Sequence, residues 1–238
     1  MNMKKVLALV AAAGLIAAAS TAFAAVSIVG TKHDLSLGGN NLAKGTNTQI
    51  CVYCHTPHNA AVSTVLWNRN NPAGSNFTLY SGVGMENKSF KSGFTADSTS
   101  LFCMSCHDGG TNMNAVTRPA VTSGTLTSGF IGGGSAANLT SDLRKTHPVN
   151  FPVGTANLQA DLWVGSGATM GNGALAAIPV LYGTDVKGFP LFKSARDVAG
   201  TTRSLECGSC HAVHDNSNAP FLRYTMTKSA LCLGCHNK

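Results

Sequence analysis

One five-residue word occurs four times in this chain: CVYCH at 51–55, CMSCH at 103–107, CGSCH at 207–211 and CLGCH at 232–236. The four copies consume all eight cysteines, so none is left over for a structural disulfide. Structural zinc suits the spacing poorly, because a closed tetrahedral set of Cys and His has no reason to repeat a histidine at one offset. A thioredoxin-like dithiol has no need of that histidine. Two thiols followed at once by an imidazole are what covalent attachment of c-type haem uses: two thioethers to the vinyl groups, and a histidine set at one face of the iron. Read this way, the attachment residues are Cys51, Cys54 and His55; Cys103, Cys106 and His107; Cys207, Cys210 and His211; and Cys232, Cys235 and His236. Four haem c groups follow.

The histidine count carries the reading further. Of eight histidines, four belong to the motifs, which leaves His33, His58, His147 and His214. Four irons with nitrogen on both faces need four distal ligands, so supply equals demand. A methionine is the usual substitute, with Met85, Met113, Met170 or Met226 as candidates; Met104 lies inside its own motif and is poorly placed. His58 and His214 each follow a proximal histidine by three residues. Imidazoles on opposite faces of one iron have Cα atoms roughly 12 Å apart, whereas three extended residues span only about 10 Å. Each must therefore serve a haem attached through another motif. Pro57 fits this, because it holds Thr56 extended and turns the chain away. His147 alone lies in the long interval between the second and third motifs: either that interval folds back to deliver it to an iron, as the ligand count favours, or the interval is decoration and His147 is incidental.

The chain opens with Lys4 and Lys5, an apolar run over 6–19 and a small-residue site at Ala22-Phe23-Ala24. This reads as a signal peptide over 1–24, too short for a bilayer span, followed by one tetrahaem domain over 25–238 with no membrane span. The mature chain is rich in Gly, Ser, Thr and Asn and poor in aromatics, so side chains alone do not fill its middle. The fold class expected is mostly irregular coil with a few short α or 3-10 helices and little β, with haems forming the core. DSTSLFCMSCHDGG offers Asp97 or Ser98 as a helix cap and Gly109-Gly110 as a stop, and TMTKSALCLGCH offers Thr227 or Ser229 as a cap. The glycine-rich stretches 122–140 and 162–179 read as coil with short helices and room for a hairpin.

The formal charge of +7 becomes +5 once Lys4 and Lys5 leave with the signal. Ionised propionates on four bis-His haems bring this to about +1 oxidised or about −3 reduced. The basic balance is thus no argument for nucleic acid, and Lys and Arg instead offset buried propionates.

GTKHDLSLGGNN, ICVYCHTPHNA, LWNRN, LFCMSCHDGG, THPVNF, LECGSCHAVHD and LCLGCH together resemble exported multihaem c-type cytochromes, most closely the tetrahaem filament-forming cytochromes of metal-reducing bacteria. The resemblance covers 30–236. It implies bis-histidine haems with His33, His58, His147 and His214 as distal ligands, and a haem chain continued from subunit to subunit outside the cell. The function expected is electron transfer rather than enzymatic turnover, with other cytochromes or extracellular acceptors as partners and an extracellular, cell-surface or otherwise periplasmic location. The alternatives are a soluble periplasmic shuttle and a multihaem reductase of a small oxyanion. For the head-to-tail homopolymer, His33 is the expected ligand supplied in trans, because it lies near one mature end and the fourth motif at the other. The alternative is that it closes back on its own chain.

Overall fold

The computed structural model describes residues 27–39, 45, 47–80, 93–118, 126, 129–153, 189–192 and 203–233. The expected signal peptide, Met85, Met170, the 162–179 stretch, Cys235 and His236 lie outside the described residues.

The word C-x-x-C-H places its three functional side chains at i, i+3 and i+4, which share one face only where the backbone turns helically. Each motif accordingly meets a helical turn. Cys51–Tyr53 is a 3-10 turn, Ser100–His107 is helix α1, Cys207–Cys210 is helix α2, and Ala230–Leu233, helix α3, carries Cys232. Further 3-10 turns span Thr64–Leu66, Gly74–Asn76 and Thr227–Ser229. The rest of the described chain is coil, turn and one short antiparallel pair: β1 (Phe151–Val153) against β2 (Arg203–Leu205), with Pro152 opposite Ser204. Proline is tolerated there because Ser204 exchanges both of its backbone bonds with Phe192 on its other side, at 2.9 and 2.7 Å. The chain is thus mostly coil with a few short helices, as its composition suggests.

Helix α1 starts later than its sequence signals imply. Thr99 is the cap residue, and Ser98 Oγ accepts from Ser100 N–H at 3.3 Å while donating to Glu206. One hydroxyl thus serves both the helix start and a tertiary partner. The stop behaves as expected: Asp108 ends the helix and Gly109 follows at φ +69°, the left-handed conformation that glycine adopts without strain. A Cβ on Gly109 would also overlap the Asn138 side chain, which is tied to Ile131 C=O. Gly109→Ala is therefore expected to lower stability by about 1–3 kcal/mol, readable as a fall in denaturant midpoint. At the other end, Ser229 directly precedes α3.

The apolar interior is small and divided. Phe77, Leu79, Phe94, Leu101, Met104 and Leu143 form one cluster around the inner face of α1, with the Phe77 and Phe94 rings edge to face at 5.1 Å. Tyr53, Met113 and Leu126 form a second, against which Cys54 and Cys106 pack. Met104 and Met113 are thereby core residues. Among the described residues fourteen buried hydrophobic side chains are matched by thirteen buried polar or charged ones, so hydrogen bonding must hold much of this part of the interior together. No helix among the described residues is long and apolar enough to cross a membrane.

Candidate haem-binding centres

Each described motif histidine is caught by a carbonyl from elsewhere in the chain. His55 Nδ1 lies 2.6 Å from Val65 O, His107 Nδ1 2.7 Å from Ala137 O, and His211 Nδ1 3.1 Å from Pro220 O. A carbonyl only accepts, so Nδ1 carries the proton in all three. In that tautomer it is Nε2 that is left to meet an iron, with the ring's orientation set by the bond at the second nitrogen.

For His55 the catching segment is VLWNR, 65–69. Thr56 N–H donates to Leu66 O at 3.0 Å, Asn68 N–H to Cys54 O at 2.9 Å, and Asn68 Nδ2 to Val52 O at 2.7 Å. The Trp67 ring stands edge-on to His55 at 5.8 Å. Aiming the Val65 carbonyl takes left-handed backbone at both Val65 and Leu66, each at φ +53°, a strain of about 1–2 kcal/mol per residue. The third motif repeats this construction. Ala212 N–H donates to Phe221 O at 2.7 Å and Arg223 N–H to Cys210 O at 2.9 Å, and Phe221 takes the left-handed role at φ +59°. The two CxxCHxxH segments are therefore equivalent units, although their catching residues share no sequence.

Two pairs of imidazoles are close neighbours, one tilted at 40° and the other edge to face at 76°. His55 and His214 have ring centroids 6.0 Å apart, and so do His33 and His107. Imidazoles bound through nitrogen at about 2.0 Å to opposite sides of one metal have centroids roughly 6 Å apart, which matches both pairs. His33 is further fixed by stacking on Phe221 at 4.3 Å and 17°. Burial, reinforced by the neighbouring His107, lowers its pKa to about 4 and keeps the ring neutral. Within its own chain, then, His33 packs between the Phe221 face and His107.

His58 is exposed, with no ring partner among the described residues, and no imidazole among them faces His211. His147 is exposed, with Nδ1 2.8 Å from Pro148 O. No three Cys, His, Asp or Glu side chains gather as a metal-binding group among the described residues. Pairs of imidazoles suit a macrocycle that supplies the other four ligands better than tetrahedral zinc.

All seven described cysteines are free thiols, and consecutive motifs approach one another. Cys54 interacts with Cys106, Cys103 hydrogen-bonds Cys207, and Cys210 interacts with Cys232. Burial pushes Cys54 up to about 12 and Cys210 up to about 11; the Cys103–Cys207 hydrogen bond raises Cys103 and lowers Cys207. The thiols that would become thioethers thus run in sequence order, first motif beside second, second beside third, third beside fourth.

Two buried charges at these junctions give no sign of their role in the sequence. Glu206, fully buried, accepts from Ser98 Oγ at 2.7 Å, Ser100 Oγ at 2.5 Å and Asn150 Nδ2 at 2.8 Å, while Ser100 Oγ also accepts from Cys207 N–H. This carboxyl ties the start of α1 to the start of α2, and so the second motif to the third. Arg69, 1% exposed, donates from Nη1 to Met113 O at 2.7 Å and from Nη2 to Asn112 O at 3.0 Å and Ser105 O at 3.2 Å. The only hint of either was its place in the resembling stretches LECGSCH and LWNRN.

Over residues 200–238 the chain matches the family described as the doubled CXXCH motif. No curated protein matches the chain. The matched segment holds the third and fourth words, and the doubled motif fits a haem-binding electron-transfer protein of the multihaem c-type cytochrome kind.

Proposed function

We propose that this chain is a tetrahaem, bis-histidine electron carrier that polymerises head to tail into an extracellular conductive filament. The observation that carries the haem reading is the pair of imidazole couples at 6.0 Å, whose His55 and His107 each have Nδ1 tied to a carbonyl. Cys51, Cys54, His55 and His214 would hold the first haem, and Cys103, Cys106, His107 and His33 the second. Cys207, Cys210 and His211 would hold the third, and Cys232, Cys235 and His236 the fourth, with His147 assigned to the fourth. When bound, the haems supply one-electron iron chemistry in close succession along the chain. The protein's part is to hold the imidazoles aimed, to bring consecutive thioether sites together, and to keep water from the buried junctions.

Polymerisation follows from an open repeat. The first half of the chain supplies His33, CVYCHTPH and CMSCH, and the second supplies His147, CGSCHAVH and CLGCH. His214 of the second half lies against His55 of the first. The same step taken once more sets His58 of another copy against His211, leaving His33 and His147 to the second and fourth haems. Such a contact is not self-complementary, so it propagates rather than closes. His58, not His33, is then the ligand supplied in trans. An exported location at or beyond the cell surface accords with the leader over 1–24 and with terminal acceptors outside the cell.

Intact mass of the mature protein should show four haem additions; two or three would overturn the tetrahaem reading. Electron microscopy of wild-type protein should show filaments, and discrete particles would favour the soluble shuttle. His58→Ala is expected to keep four haems per chain and lose the filaments. Normal filaments in that variant would overturn the junction.

A further inference from the structure

Arg69 occupies a position that its hydrogen bonds alone do not explain. Its backbone neighbour Asn68 is bonded to the carbonyl of Cys54 in the first motif, and its guanidinium is bonded to the carbonyl of Ser105, inside the second. The charge therefore sits between the two attachment loops. It is 1% exposed, its partners are carbonyl oxygens, and Nε has no partner. No carboxylate bonds to it among the described residues. Both adjacent thiols, Cys54 and Cys106, interact with it electrostatically. Burying a cation without a counter-ion is costly, and a neutral side chain of similar length would bridge the same gap more cheaply.

We propose that Arg69 is a potential-setting residue, whose fixed positive charge raises the reduction potentials of the first and second haems. The inference rests on the haem assignment above. Guanidinium stays protonated at every accessible pH, so the charge is constant. Reduction adds one electron at the iron and no proton, so the ferrous haem is one unit less positive than the ferric. A nearby fixed cation favours the ferrous form, and the dry setting keeps solvent from screening it. Across roughly 10 Å at an effective dielectric of about 20, a unit charge changes an equilibrium by on the order of tenfold.

The test is a spectroelectrochemical titration of the haem-loaded, full-length protein in Arg69→Met, Arg69→Gln and Arg69→Lys. Arg69→Met is expected to move two of the four midpoints to lower potential by about 59 mV, the one-electron equivalent of tenfold, with low-spin spectra unchanged. Arg69→Lys, which keeps the charge, should restore most of the shift. Should Arg69→Met fail to load four haems, Arg69→Gln, which keeps a donor for the carbonyls, is expected to show the same two-haem shift. Unmoved midpoints would overturn the inference, as would an equal shift of all four, or Arg69→Lys behaving like the neutral variants. Wild-type protein with fewer than four low-spin haems would instead sink the electron-carrier reading, so the two failures are distinguishable.

Discussion

Replacing Glu206 with alanine is expected to destabilise the protein by about 3–5 kcal/mol, seen as a large fall in denaturant midpoint. The carboxyl is fully buried and takes hydrogen bonds from Ser98, Ser100 and Asn150. Alanine leaves those donors facing a void, and it cuts the link between the start of α1 and the start of α2. Glu206→Gln keeps the shape, and the two serine hydroxyls can rotate to accept from the new amide, so a smaller loss of about 1–3 kcal/mol is expected. Burial raises the Glu206 pKa, while the bonds from Ser100, Asn150 and Ser98 pull it part of the way back. A raised folded-state pKa means that the folded chain holds this proton more tightly than the unfolded chain. The linked stability is thus full below the ordinary value of 4.5 and is lost as pH climbs through the raised value. The stability advantage of wild type over Glu206→Gln should shrink over that rise. An advantage that grows instead would mean that the carboxylate is the form the network was built for.

The coil-rich fold was legible from composition, because a chain poor in aromatics and rich in Gly, Ser and Asn cannot build extended apolar layers. The helical turns under the motifs were legible from spacing, since i, i+3 and i+4 fix a turn wherever they occur. What closes the sites was not legible. Val65, Ala137 and Pro220 act through backbone carbonyls, which every residue has, so no side-chain pattern marks them. Leu66 and Phe221 play one structural role with no residue type in common, because what the role needs is a left-handed backbone and a paired amide. Arg69 and Glu206 look like ordinary surface charges in sequence, and only the long-range folding of other segments over them makes them buried. The second partner of Ser98 was hidden for the same reason: its hydroxyl donates to a carboxyl 108 residues away. Position near a chain end suggested that His33 reaches outward. Within one chain His33 stacks on Phe221, a partner 188 positions away that no local pattern marks.

Removal of a distal imidazole is expected to open one iron in four, and the close pairs say which. His33→Ala should leave four haems covalently attached, because the thioethers to Cys103 and Cys106 do not depend on it. It should convert about a quarter of the haem from low-spin to high-spin and raise that haem's potential, since loss of an imidazole removes a donor that favours ferric iron. His214→Ala should do the same to a different haem, the one on Cys51 and Cys54. The assignment is separable from mere loosening by combining variants. Placed on a chain already lacking the second haem through Cys103→Ala and Cys106→Ala, His33→Ala should add no high-spin signal, because its iron is gone. Placed on a chain lacking the first haem through Cys51→Ala and Cys54→Ala, it should add the full signal. His214→Ala should show the reverse pattern. The 6.0 Å couples assign each histidine to a different iron. A high-spin signal from His33→Ala that survives loss of the second haem would therefore break the pairing, and with it the argument that the next step of the repeat falls on His58.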